Sequence, residues 1–305
     1  MTTLIIKQLR VQQDINYWNA LLAAEYSARS IVSIKRDWEH FCDFGFQAGI
    51  NVLPATTDTL IRFIDRMARE RKYATLRRYV ISINRVHQLC SLPQPGNSSQ
   101  VDLVMAKFRI DKKDDHIQAD AFRRHHLDKL QLQLGQSERL KDIRDLAIWT
   151  LMFECMIKRG ELLALDVQDF DYDAKLLTFD DEQFQLSDDC NERLQTWISA
   201  GALVSGPLFR AIDRHGNVSE PPIDPSGIYR VFRRANEELG LPKHVKFSGQ
   251  SPRVGAAKDL SEEGSSINEI QHAGRWRSAA MPAQYLGKKE SSEQEKAKYR
   301  KKKQW

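Results

Sequence analysis

A mainly α-helical protein with a small β hairpin or sheet, built as two domains, is the fold class that this 305-residue sequence predicts. Three observations carry that reading. Apolar residues recur at helical spacing through the first third of the chain. A charged stretch without an apolar anchor, Asp111-Lys-Lys-Asp-Asp-His116, then interrupts it. The remainder mixes helical periods with one short strand-like run among turn formers. A chain of this length has room for two cores, so we place the domains at 1–112 and 117–305, with the charged stretch as linker.

Taken in order, Ile31, Ile34, Trp38, Phe41, Cys42 and Phe44 mark one amphipathic helix from about Ser27 to Gly49. Pro54-Ala-Thr-Thr-Asp58 opens the next, its Thr and Asp residues being capping candidates before Leu60, Phe63, Ile64 and Met67. Ala74 to Cys90 carries Tyr79, Ile83 and Val86 on one face, with Arg77, Arg78 and Arg85 elsewhere. Leu92-Pro-Gln-Pro-Gly-Asn-Ser-Ser-Gln breaks the pattern, and a short helix follows around Val101 to Ile110. In the second half the spacing predicts helices near 122–133, 139–155 and 159–165. A short β segment around Leu176, Leu177 and Phe179 falls within 166–184. Helices return near 188–199, 224–239 and 250–263, with two short ones before Tyr285. An all-helical lobe joined by a polar linker to a mixed lobe suits a C-shaped clamp able to close around a rod-shaped partner.

Composition narrows the class. The 41% hydrophobic and 29% charged content is ordinary for a soluble globular protein. No apolar run reaches the length of about 18 residues that a membrane span needs. The N-terminal segment lacks a long apolar region with a small-residue cleavage site, so no signal peptide is expected. Cys42, Cys90, Cys155 and Cys190 form no CxxC pair and read as reduced thiols of a cytoplasmic protein. His87 and Cys90 lie three apart on a helix, a spacing that without a second pair reads as packing and not as a metal site.

The formal net charge of +5 is modest, but its distribution is uneven. Between Arg62 and Arg85 lie Arg66, Arg69, Arg71, Lys72, Arg77 and Arg78, opposed only by Asp65 and Glu70. The C-terminus gathers Lys296, Lys298, Arg300, Lys301, Lys302 and Lys303. Such clusters suit a phosphate backbone, whose neutralisation releases counterions. A solvated helix face plus a charged tail fits the charge pattern equally well.

More specific is the run Phe247-Ser-Gly-Gln-Ser-Pro-Arg-Val-Gly-Ala-Ala-Lys-Asp-Leu260, continued by Ile270-Gln-His-Ala-Gly-Arg-Trp276 and Tyr285. Upstream stand Lys141-Asp-Ile-Arg-Asp-Leu-Ala147 and Met156-Ile-Lys-Arg-Gly-Glu-Leu162, and before them Leu92-Pro-Gln-Pro and Val101-Asp-Leu-Val-Met105. In order and at compatible spacing, these segments resemble the tyrosine recombinase (phage integrase) family over almost the whole chain. The resemblance implies a helical core-binding domain plus a catalytic-type domain on duplex DNA. It also implies self-association there as a dimer or tetramer, and no metal or nucleotide cofactor.

In that family a tyrosine attacks a phosphodiester and keeps the bond energy in a 3′-phosphotyrosyl link. Two arginines grip the transition-state oxygens, a hairpin lysine protonates the leaving 5′ oxygen, and a His and a Trp or His complete the ring of donors. The resemblance places Tyr285 at the nucleophile, Arg253 at the second arginine, Trp276 at the tryptophan and Glu161 at the acidic residue after the first arginine. Lys158 stands at the first-arginine position, where it keeps the charge and loses the planar fork. Neighbouring Arg159 is a candidate substitute, although one helical step turns a side chain by about 100°. Gln250 stands at the His position and has no proton-transfer role. The hairpin region Asp166 to Glu192 is acidic, and its one base, Lys175, precedes the strand and misses the turn after it.

Three functional classes follow. The first is a DNA-binding protein with weak or lost strand cleavage, regulating or assisting an active recombinase partner. The second is an active site-specific recombinase. The third is a helical scaffold whose basic patches bind acidic proteins. The basic tail suits docking on a neighbouring protomer or holding DNA, and Tyr299 within it lacks an organised pocket. The first two classes imply a cytoplasmic, nucleoid-associated or phage- or plasmid-encoded protein.

Overall fold

The computed structural model describes residues 14–115 and 118–288, together with Leu9, Ser292 and Gln294. The chain separates into two compact units, one ending at Ile117 and the other starting at Gln118. The basic tail and Tyr299 lie outside the described residues.

In the first unit every regular element among the described residues is a helix. They are α1 (Ile15–Leu22), α2 (Ala28–Ala48), α3 (Thr57–Ala68), α4 (Tyr73–Leu89) and α5 (Ser99–Asp111). Local chemistry sets their ends. The Ser27 hydroxyl accepts the Ser30 amide to start α2, and Gly49 stops it at φ +65°. Thr56 caps α3 in the same way through the Thr59 amide at 3.1 Å. Aromatic rings fill the core, with Phe41 and Phe63 5.0 Å apart and Phe63 and Tyr79 5.2 Å apart.

Two polar groups are sealed in this core. Asp37 is wholly buried and receives the Arg78 fork at 2.8 and 2.9 Å and the Ser82 hydroxyl at 2.7 Å. His87 accepts the Ala55 amide on Nε2 at 2.9 Å, and its Nδ1 lies 2.9 Å from the Ile83 carbonyl. Burial pushes this imidazole down from its ordinary pKa. The residue is a satisfied core histidine with both ring nitrogens used.

The second unit holds α6 (Arg124–Leu134), α7 (Leu140–Glu154), α8 (Arg159–Leu162), β1 (Phe170–Asp171), β2 (Leu176–Phe179) and β3 (Glu182–Gln185). It continues with α9 (Asp188–Ala200), β4 (Arg210–Ile212), β5 (Val218–Pro222), α10 (Pro225–Glu238), α11 (Ser251–Glu262), α12 (Ile267–Ala273) and α13 (Ala280–Tyr285). Strands β1 to β3 form an antiparallel sheet in chain order, and β4 with β5 forms a separate antiparallel pair. This second pair is absent from the sequence reading. The helix read at 159–165 is a single turn.

Helix α7 runs through the core, buried from Leu146 to Phe153. Its first turns also bury charge. Asp142 and Asp145 both receive Arg234 of α10, and Asp145 is paired with Arg144 at 2.7 Å. Part of the Lys141–Ala147 motif is therefore an internal ion network.

Helix α11, which carries Arg253, is placed by a close approach. The Phe122 amide donates to the Ser251 carbonyl at 3.0 Å. A Cβ on Gly255 would sit 1.6 Å from the Phe122 carbonyl oxygen, so only glycine fits there.

Candidate active site

Arg253 is 5% exposed in the first turn of α11. Its Nη2 donates to the Gly274 carbonyl at 2.7 Å, and its Nη1 donates to the Met156 carbonyl. The guanidinium thereby ties the end of α12 to the segment before α8. Its carbon also lies 4.7 Å from the Trp276 ring centre, in cation–π contact. Arginine carries five N–H donors, so N–H groups remain beyond these two bonds.

Trp276 meets Tyr285 edge-on, with ring centres 5.6 Å apart. This packing needs Gly274, because a Cβ there would lie 2.1 Å from the indole. Tyr285 ends α13 and is 6% exposed. Its carbonyl accepts from Gln118 at 3.2 Å, and its hydroxyl has no hydrogen-bond partner among the described residues. Burial pushes the phenol pKa up, and the Arg253 charge opposes that rise without cancelling it. The phenol is therefore neutral near pH 7.

The surroundings of Lys158 are built differently. Lys158 is the N-cap of α8, with extended backbone at φ −80° and ψ 152°. Its Nζ lies 2.5 Å from Glu161 Oε1, its amide donates to Oε2 at 2.7 Å, and its side chain is 55% exposed. Glu161 also receives Nη2 of Arg275 at 2.7 Å. Burial pushes the Glu161 carboxyl up, but hydrogen bonds from Lys158 and Arg275 outweigh it and hold the pKa below the ordinary value. Glu161 is thus a carboxylate shared by two cations.

The turn attributed to Arg159 needs correction. A rotation of about 100° per residue applies between helical residues, and Lys158 is not helical. The Arg159 stem instead passes Gly249, within 3.6 Å of where a Cβ there would stand. Arg159 therefore flanks the loop that leads into Gln250. Gln250 is exposed and makes no side-chain cap to α11.

In the hairpin, Phe179 pairs with Glu182, so only Asp180 and Asp181 connect β2 to β3. Asp180 adopts φ +51°, which aspartate tolerates in turns. Lys175 lies before β2, about 13 Å of strand from that turn, and its Nζ is 2.5 Å from Asp188.

The cationic candidates of the first unit divide into two groups. Arg78 is bound to buried Asp37, Arg85 pairs with Glu25 at 2.5 Å, and Arg66 donates to Gln47 at 2.6 Å. Arg78 thus also neutralises Asp37 inside the fold, while its side chain stays half exposed. Arg69, Arg71, Lys72 and Arg77 are exposed around the end of α3 and the start of α4.

The sequence reading missed Arg275, although it lies inside the quoted motif. Its pairing with Glu161, 114 positions away, has no local signal. Among the described residues no His, Cys, Asp and Glu cluster has the makeup of a metal site, and no helix is long and apolar enough to cross a membrane.

Residues 124–291 match the model of the phage integrase family. The recombinase Cre of Escherichia phage P1 is 25% identical over 292 residues, covering 86% of this chain and 84% of Cre. An integrase/recombinase XerD homologue of Selenomonas ruminantium is 24% identical over 276 residues, covering 82% and 79%. Among solved structures, XerH site-specific recombinase bound to palindromic difH substrate, in its post-cleavage complex, aligns with a TM-score of 0.62 at 14% identity. That alignment covers 87% of this chain and 78% of XerH.

Proposed function

The chain belongs to the phage integrase family, the tyrosine recombinases, and from that premise we propose that it is a duplex DNA-binding protein whose strand cleavage is weak or lost. The observation that carries this reading is the two-residue Asp180-Asp181 connection, which leaves the hairpin no lysine to serve as general acid. Two further features support it. The cation at the first-arginine position is an exposed lysine already paired with Glu161, and Gln250 offers no proton acceptor.

The chemistry follows from these groups. A phosphate in the pocket would meet the remaining Arg253 donors and Lys158 beside the Tyr285 hydroxyl. For cleavage, the Tyr285 oxygen must form a bond to phosphorus while the 5′ oxygen leaves. The neutral phenol must lose its proton, and the leaving oxygen must gain one. Neither Gln250 nor the two aspartates assist, and losing one acid–base group typically costs a factor of about 10²–10⁴. Arg69, Arg71, Lys72 and Arg77 form the exposed phosphate-binding group of domain 1–112, with Arg66, Arg78 and Arg85 secondary to it. Binding by two or four copies, alone or beside an active recombinase, fits the same reading.

The test is selection of bound duplexes followed by trapping on a nicked suicide duplex of the best sequence. We expect a strong, salt-dependent mobility shift with little covalent complex. Lys158→Arg combined with Gln250→His should raise trapping only partly, since the hairpin still lacks a lysine. Salt-insensitive binding, or none, would overturn the DNA reading. The intact Arg253–Trp276–Tyr285 stack favours a second reading, an active recombinase, and efficient trapping by the wild-type chain would establish it.

A further inference from the structure

Arg275 stands between two residues that shape the site: Gly274, whose carbonyl holds Arg253, and Trp276, on which Arg253 stacks. Its backbone adopts φ +52°, a region that non-glycine residues seldom occupy. Its guanidinium carbon lies 4.7 Å from the ring centre of Phe184 on β3, and its Nη2 binds Glu161. The plane of the fork is thereby set from two sides. Its Nε is buried with no partner among the described residues.

We propose that Arg275 supplies the second phosphate-gripping guanidinium of this pocket, in place of the fork that Lys158 lacks. The inference rests on the DNA reading above and assigns a phosphodiester oxygen as the ligand. Lys158, Arg253 and Arg275 set three cations against one carboxylate, Glu161. Arg253 and Arg275 are near enough to affect one another's charge, so an anion between them relieves their repulsion. In the unliganded protein Glu161 holds Arg275 in place. A phosphate oxygen then takes up donors of a fork that is already oriented, so little side-chain entropy is lost on binding.

A purely structural Arg275 would only tie the α12–α13 link to α8 through Glu161. The salt dependence of duplex binding separates the two roles. For the full-length chain on a random-sequence duplex, Arg275→Ala should make the slope of log K against log salt shallower by about 0.9, the value of one phosphate contact on B-DNA. Its affinity at low salt should fall by about tenfold or more. Arg275→Lys should keep the slope, because it keeps the charge, and Lys158→Ala should alter both less than Arg275→Ala does. Melting temperatures measured alongside show whether each variant is folded. Arg275→Ala that stays folded and binds with the wild-type slope would overturn the proposal while leaving the DNA reading intact. Wild-type protein with no salt-dependent affinity for duplex would remove both.

Discussion

The candidate site residues fall into two sets made of different material. Arg253 and Tyr285, on α11 and α13, are at most 6% exposed, and both contact Trp276. Lys158, Gln250 and the Asp180-Asp181 turn are exposed positions whose side chains support little of the core. The buried set is thus also the one that holds the fold together. Arg253 joins two chain segments through their carbonyls, and Trp276 roofs Gly274. These residues have a packing role of their own, so their presence alone does not separate weak from efficient strand cleavage. The chemistry must be judged from the exposed set.

Substitutions sharpen this contrast. The largest effect is expected from Arg253→Ala, which leaves two buried carbonyls without donors at about 1–3 kcal/mol each. Urea denaturation should show this loss, and a variant as stable as wild type would break the comparison. The next effect is one of pH. His126 accepts the Arg123 amide on Nδ1 at 3.0 Å and must stay neutral to do so. Burial, then the charges of His125 and Arg123, push its pKa from 6.5 down to about 4. The unfolded chain therefore takes up this proton first. The His126 contribution is complete above pH 6.5 and is lost as pH falls toward about 4. A His126→Gln variant should flatten that part of the stability profile measured by thermal melts. The smallest effects belong to Lys158→Ala and Gln250→Ala. As exposed substitutions outside the core they should change stability by no more than about 0.5 kcal/mol, so any loss of DNA affinity in them is a matter of the site and not of the fold.

Legibility in the sequence follows the range of the interactions. Helix α2 was readable because Ser27, Gly49 and the apolar period between them are local signals. Tyr285, Trp276 and Arg253 were readable because they occupy one contiguous C-terminal block. The β4–β5 pair was not, since Val218-Ser-Glu-Pro-Pro222 lacks apolar alternation and its register shifts between Arg210 and Ile212. Ion pairing was not legible where partners come from afar. Asp142 and Asp145 meet Arg234 from α10, and Arg78, itself half exposed, meets buried Asp37 of another helix. Arg275 belongs to the same class, as its partners Glu161 and Phe184 lie on distant elements.

One measurement tests the central claim most directly: covalent trapping and equilibrium binding on the same selected duplex, for wild type and Tyr285→Phe. The account expects tight, salt-sensitive binding in both proteins, with covalent complex at or near the Tyr285→Phe background. Abundant wild-type covalent complex that vanishes in Tyr285→Phe would contradict it.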